Sequence, residues 1–234
     1  MKQSFFTFLV VICLLTTNFA FSQISVGFRG GVNFANISVK EAGSYTLNAK
    51  TGATFGIPIE VRFSRYFAVQ PEINWTQKGY NFEDNYEEYD PTYGYTFDYI
   101  LKQTVRYNYL EVPVLFKTKL GTDVFKFNFL LGPSVGYAIG GKSAFEHYRV
   151  NVDGSKSLLE SASARFSDIA KFLNRTDLSW NTGAGISFQG AKTSFFLEAR
   201  HQLGLNDFAK SNQVVNKHRN FQIAAGLMFR LKDK

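Results

Sequence analysis

Phe221-Gln222-Ile223-Ala224-Ala225-Gly226-Leu227-Met228-Phe229-Arg230-Leu231-Lys232 decides the fold. Phe221, Ile223, Ala225, Leu227, Phe229 and Leu231 share one parity, and Gln222, Ala224, Gly226, Met228, Arg230 and Lys232 share the other. A period of two is that of an extended strand whose successive side chains point to opposite faces, and here the faces suit two different solvents. The same alternation sets Leu178, Trp180, Thr182, Ala184, Ile186 and Phe188 against Ser179, Asn181, Gly183, Gly185, Ser187 and Gln189.

Working outward, the pattern predicts eight strands, near 24–35, 51–63, 66–79, 104–119, 124–139, 177–188, 193–205 and 219–231. A tilted strand needs roughly 9 to 11 residues to cross a bilayer, and each segment is long enough. The joints after the second, fourth and sixth strands are hairpin-sized: Ser64-Arg65, Leu120 to Asp123, and Gln189 to Lys192, with Gly121 and Gly190 supplying turn geometry. The connections 36–50, 80–103, 140–176 and 206–218 are long and polar. Strict alternation of short and long joints sends every long loop to one rim and both termini to the other. That asymmetry is the one outer-membrane barrels have, with short periplasmic turns and long external loops. The expected fold is therefore all-β, an eight-stranded antiparallel up-and-down transmembrane β-barrel in the cell outer membrane, with both termini periplasmic.

Bulk composition hides this, because 45% hydrophobic residues is ordinary for a soluble domain. The departures are 17% aromatic residues, 25 of them Phe, with 19 Gly and 5 Pro. Residues 1–22 carry Lys2, an apolar run from Phe5 to Leu15, and Ala20-Phe21-Ser22, the pattern of a signal peptide cut before Gln23. The mature barrel domain is then 23–234. The leader's run is too short for a membrane-spanning helix, which needs roughly 20 residues. Cys13, the single cysteine, lies within it after Ile12, a poor context for lipoprotein processing. The mature chain thus has no thiol, which excludes disulfides and cysteine chemistry. The net charge of +7 is modest and includes Lys2.

Face assignment by alternation puts Val26, Phe28, Ile57, Ile59, Val61, Val69, Ile73, Val112, Val114, Phe116, Phe127, Phe129, Leu131, Phe195, Leu197 and Leu227 towards lipid. The opposite face collects Arg29, Glu60, Arg62, Glu72, Glu111, Lys117, Lys126, Glu198, Arg200 and Arg230. An eight-stranded interior is just wide enough for side chains, so these charges must pair with one another. A salt-bridged, largely filled lumen is expected. The alternative is a proton or solute path through space left by Gly27, Gly31, Gly183 and Gly185. Trp75, Tyr80, Tyr107, Tyr109, Tyr137 and Trp180 lie towards the loop ends of their strands, and Phe63, Tyr66, Phe67, Phe125 and Phe188 towards the turn ends. Two aromatic belts at headgroup level are expected from them.

Gln70-Pro71-Glu72-Ile73 with Lys78-Gly79, Tyr109-Leu110-Glu111-Val112-Pro113-Val114-Leu115, Leu131-Gly132-Pro133-Ser134-Val135-Gly136-Tyr137 and Gln202-Leu203-Gly204-Leu205 follow in order along the chain. In these the sequence resembles the outer-membrane β-barrel family of Bacteroidetes called PorT-like. The resemblance implies a small barrel in the outer membrane of a diderm bacterium and brings no catalytic residue set. Some members are similar to a component needed for protein secretion across that membrane, so an accessory to secretion or transport is the alternative role. One departure is the end of the chain, where Phe229-Arg230-Leu231 precedes Lys232-Asp233-Lys234 in place of a terminal aromatic.

Chemistry is left to the loops. Glu83, Asp84, Glu87, Glu88, Asp90 and Asp98 interleave with Phe82, Tyr86, Tyr89, Tyr93, Tyr95, Phe97 and Tyr99. A strand-extending hairpin is expected there, and Glu83, Asp84, Tyr86, Glu87, Glu88, Tyr89 and Asp90 form a candidate partner surface. The spacing matches no defined calcium loop. In the third loop Ser157-Leu158-Leu159-Glu160 reads as a capping box, followed by Leu159, Ala162, Phe166, Ile169 and Leu173 at helical spacing. A short amphipathic helix is predicted, placed over the barrel mouth, on the membrane or against a partner. Lys156, Arg165, Lys171, Arg175, Lys210, Lys217 and Arg219 give the external rim a charge suited to lipopolysaccharide phosphates. His201 and Asp207 sit near that rim without a nucleophile or water-activating group, so no enzyme is expected. No metal, other cofactor or nucleic-acid partner is expected either. The expected partners are outer-membrane lipid, lipopolysaccharide and a protein met by the external loops. The function predicted is recognition or envelope interaction.

Overall fold

The computed structural model describes residues 23–39, 46–91, 94–210 and 216–231, so the leader lies outside the described residues. Among the described residues nine strands form: β1 (Gln23–Val39), β2 (Thr46–Arg62), β3 (Phe67–Asp90), β4 (Tyr95–Gly121), β5 (Phe125–Val150), β6 (Lys156–Arg165), β7 (Thr176–Gln189), β8 (Thr193–Gly204) and β9 (Asn216–Arg230). All except β6 close into an antiparallel ring of eight in sequence order, with β9 returning to β1 from Ser25↔Arg230 to Val39↔Asn216. Closure leaves the ring no unpaired edge, which is the condition for backbone crossing hydrocarbon.

The faces separate as the period of two dictates. Phe28 (56%), Ile57 (53%) and Phe116 (61%) are exposed, while Arg29, Glu72 and Arg200 on the other parity are buried. An apolar band of this extent would be an aggregation hazard in water and is the natural surface in lipid.

Three strands are far longer than the roughly 9 to 11 residues a bilayer crossing needs, since β3, β4 and β5 have 24, 27 and 26 residues. The segment 80–103 is thus mostly strand, paired without a register break from Asn74↔Glu111 to Asp90↔Tyr95. β6 lies against the outer half of β5, from Lys142↔Arg165 to Val150↔Lys156. Together β3, β4, β5 and β6 make a projecting sheet above one side of the ring.

The short helix expected in the third loop forms, but β6 takes the segment from Ser157 and moves the helix start to Phe166. The Asp153-Gly154 pair turns the chain back: Gly154 takes φ +79°, its N–H donates to Asn151 O at 2.8 Å, and Asn151 N–H donates to Ser155 O at 2.8 Å. Asp153 Oδ1 accepts from the Ser155 N–H (2.9 Å) and hydroxyl (2.6 Å), which hold its carboxyl below the usual carboxylate range. With a hairpin nucleated there, pairing with β5 overrides local helical spacing at Leu159 and Ala162. The helix that does form, α1 (Phe166–Ile169), is a single turn. Asp168 Oδ2 caps it by accepting the Arg165 N–H at 3.1 Å. A 3₁₀ turn, Ala170–Phe172, follows and brings Leu173 into a bridge with Ala209.

Candidate functional site

The interior is built in three charged layers. At the short-turn end Glu60 receives three cations: Lys119 Nζ at 2.6 Å, Lys117 Nζ at 3.1 Å and Arg62 Nη2 at 3.2 Å. In the middle Arg200 donates through both terminal nitrogens to Glu72, at 2.8 and 2.6 Å, and Arg29 adds a third donor at 3.2 Å. Gln70 and Asn74 donate to the same carboxylate at 2.6 and 2.8 Å. Glu198 lies 2.6 Å from Arg200 and 3.5 Å from Arg29. Towards the loops Lys78 sits between Asp177 (2.5 Å) and Glu111 (2.6 Å), with its ammonium 4.9 Å from the Tyr109 ring centre. Gln202 donates to Glu111 at 3.0 Å and Asn220 to Gln202 at 2.7 Å. Each charge in the two deeper layers meets an opposite one, the condition for tolerating burial.

Period-two geometry explains why these side chains meet. Glu72, Asn74, Thr76 and Lys78 share the inner face of β3, and Glu111 and Lys117 that of β4. Small residues make room on β7: a Cβ at Gly183 would stand 2.9 Å from Arg200 Cγ, and one at Gly185 2.8 Å from Glu198 Cβ. The glycine space is therefore filled by neighbouring side chains. The same holds at Gly27, where a Cβ would reach Met228 Sδ, and at Gly31, where it would reach Ala224.

Of the ten residues assigned to the lumen, Arg29, Glu60, Glu72, Glu111, Lys117, Lys126, Glu198 and Arg200 are buried. Arg62 and Arg230 are half-buried at the turn-side mouth. Lys126 is buried without an acidic partner among the described residues. Lys78, Lys119 and Asp177 complete the network and were missed, although each continues the parity of a residue already on the inner face.

A plug closes the loop end. Tyr107, Tyr109, Val105, Ala138, Ile37, Leu173 and Phe208 form a buried cluster, with Phe166 and Ile169 of α1 packed on it. His218 is enclosed there, stacked on Phe208 at 4.3 Å and within 3.2 Å of the Tyr109 hydroxyl. This corrects the loop-side aromatic belt. Trp75, Tyr137 and Trp180 face outward, whereas Tyr107 and Tyr109 share the inward parity of Lys78 and Glu111 and fill the bore. The turn-side rings Phe63, Tyr66, Phe67 and Phe188 are exposed on the outside.

Above the plug, the lumen-side face of the projecting sheet carries Tyr86, Tyr99 and His147. The two tyrosines stack at 5.5 Å, His147 lies 5.4 Å from Tyr99, and Tyr86 Oη is 2.9 Å from His147 Nε2. Packing against these rings, reinforced by the nearby Glu88 carboxylate, pushes the Tyr86 hydroxyl above its ordinary value. A cavity beside them is lined by Asn85, Glu87, Asp98 and Val150. Of the candidate partner surface, Glu83 pairs with Lys102 at 3.5 Å, while Asp84 and Glu88 share the face of Tyr86 and Glu87 and Tyr89 point the other way. The strand ends at Asp90. His201 is exposed on the outer face, and Asp207 Oδ1 accepts the N–H groups of Ala209 (2.9 Å) and Asn216 (3.1 Å).

Residues 17–210 match the family model described as outer membrane protein beta-barrel domain. The chain belongs to that family. An outer-membrane β-barrel protein is accordingly what the closed ring and its apolar band describe. Among curated proteins none matches this sequence. Among solved structures, Ail, the attachment invasion locus protein of Yersinia pestis, aligns at 16% identity over 88% of this chain and 98% of that one, with a TM-score of 0.40. OprG from Pseudomonas aeruginosa aligns at 12% over 91% and 96%, TM-score 0.40. Neisserial surface protein A aligns at 14% over 88% and 97%, TM-score 0.35.

Proposed function

We propose that this outer-membrane β-barrel protein is a non-enzymatic recognition barrel, closed to solute flow, with its termini periplasmic and the projecting β3–β6 sheet outside the cell. The observation that carries the reading is the contrast along one axis. The bore is filled by ion pairs and capped by an aromatic plug, while the sheet beyond the plug exposes Tyr86, Tyr89, Tyr95, Glu87 and Glu88 to solvent, with His147 half-buried beside Tyr86. Tyrosine suits recognition because its rigid ring gives contact area at small entropic cost. The rim cations Lys171 and Lys210, beside a cavity at Phe172 and Phe208, suit lipopolysaccharide phosphates. Membership of the PorT-like branch belongs to the same proposal. Its supporting residues are two motif acids, Glu72 and Glu111, on which the central and loop-end cations converge.

In planar bilayers the purified barrel is expected to give no sustained single-channel steps. Such steps would overturn the closed-bore reading and favour the accessory to secretion or transport. Co-purification from the native membrane, comparing the full chain with one lacking residues 81–100, tests recognition. A partner lost only from the shortened chain supports it, and identical co-purified sets reject it.

A further inference from the structure

Against the plug, at the loop-end mouth, lies a cavity of about 330 Å³, within the size range of small-ligand sites. Tyr107, Leu173 and Phe208 of the plug, only 5%, 8% and 3% exposed, form its buried side, and Lys171, Phe172 and Lys210 its open side. Two backbone ties hold these walls together: the Lys210 N–H donates to the Phe172 carbonyl at 2.9 Å, and the Asn174 N–H to the Phe208 carbonyl at 2.8 Å. The bridge between Leu173 and Ala209 lies between them. Paired chain, rather than side chains alone, therefore shapes the space.

The lining is apolar and aromatic on most sides, which suits a flat apolar body. Its charge has one sign: Lys171 and Lys210 share the open side, no carboxylate lines the cavity, and neither lysine pairs with an acid among the described residues. The Lys171 ammonium lies 5.0 Å from the Phe172 ring centre, so charge and ring are presented together. Tyr107 adds a buried donor, because its hydroxyl makes no hydrogen bond among the described residues. A buried hydroxyl left without a partner costs stability, and an oxygen entering the cavity would relieve that cost.

We propose that this cavity binds a small amphipathic anion, a flat apolar body carrying one phosphate or carboxylate. The body lies against Phe172 and Phe208, the anionic group meets Lys171 and Lys210, and the Tyr107 hydroxyl donates to an oxygen of the ligand. The inference rests on the reading of this rim as an anion-recognising surface and gives it a ligand of defined chemistry. Charge alone would make no use of the aromatic walls or of the Tyr107 hydroxyl.

The test titrates phenyl phosphate by calorimetry, at constant ionic strength, into the purified barrel in zwitterionic detergent, with inorganic phosphate titrated in parallel. Saturable binding of phenyl phosphate, with inorganic phosphate weaker by about tenfold or more, is expected. Lys171→Gln/Lys210→Gln, at two exposed positions, should weaken phenyl phosphate by a similar factor. Tyr107→Phe, which keeps the ring in the plug, should weaken it several-fold, and Lys156→Gln, at the exposed start of β6, should leave it unchanged. Inorganic phosphate binding as tightly as phenyl phosphate overturns the amphipathic site but leaves the charged rim. Equal effects of Lys156→Gln and the double lysine variant overturn the site as well. Absence of binding by either phosphate overturns the site and the rim reading together, whereas the bilayer and co-purification results do not depend on this cavity. If Tyr107→Phe fails the heat-modifiable migration test of folding, the double lysine variant carries the comparison.

Discussion

Glu72→Gln is expected to destabilise the folded barrel by about 3–5 kcal/mol, the range for removing one partner of a buried ion pair. The reason is convergence. Two guanidiniums and two amides donate to this one carboxylate, and its side chain is fully buried. Neutralising it leaves Arg29 and Arg200 with only Glu198 between them in a bore that offers little water. Urea titration of the barrel in vesicles, followed by heat-modifiable migration, should show a clearly lower midpoint. A midpoint within error of the parent would mean the network relaxes without cost and would sink the layered-lumen account.

Ile57→Arg is expected to cost about 2–4 kcal/mol in a bilayer, as charge does on the lipid face near the midplane of a barrel. Leu159→Arg on β6 should fall within about 0.5 kcal/mol of the parent, like other surface changes in water. The comparison is informative because the two side chains are almost equally exposed, 53% and 49%. Accessible area alone cannot tell them apart, so any difference reports which solvent each meets. Equal effects in vesicles would reject the placement of the apolar band in lipid.

The parity of Phe221 to Leu231 was enough to find β9 and its faces, and the same rule located the other strands of the ring. It succeeded because a membrane barrel imposes one repeating environment: lipid outside, crowded polar bore inside, every second residue. The same parity continues past the residues named as lumen charges. Extending the parity of Glu72 by three more alternations reaches Lys78, and extending Lys117 by one reaches Lys119, both members of the network. Tyr107 and Tyr109 were misplaced because an aromatic at a strand end suits a headgroup belt as well as a plug. Composition cannot choose between those, whereas parity with Glu111 could have. Ser157 to Glu160 failed for a different reason. A capping box is a local signal, and the Asp153-Gly154 turn delivered the segment to an unpaired edge of β5 that no window of helical spacing registers.

By itself, then, the sequence determined the strand count of the ring, which face of each strand is charged, and the alternation of short turns with long loops, because all three repeat along the chain at fixed spacing. Tertiary structure alone decided which charges share a partner, that the turn-side layer has more cations than carboxylate to satisfy, and that α1, Phe208 and His218 meet Tyr109 to close the bore. Those outcomes depend on register between strands distant in sequence, and register is fixed by ring closure and packing rather than by the pattern within any one strand.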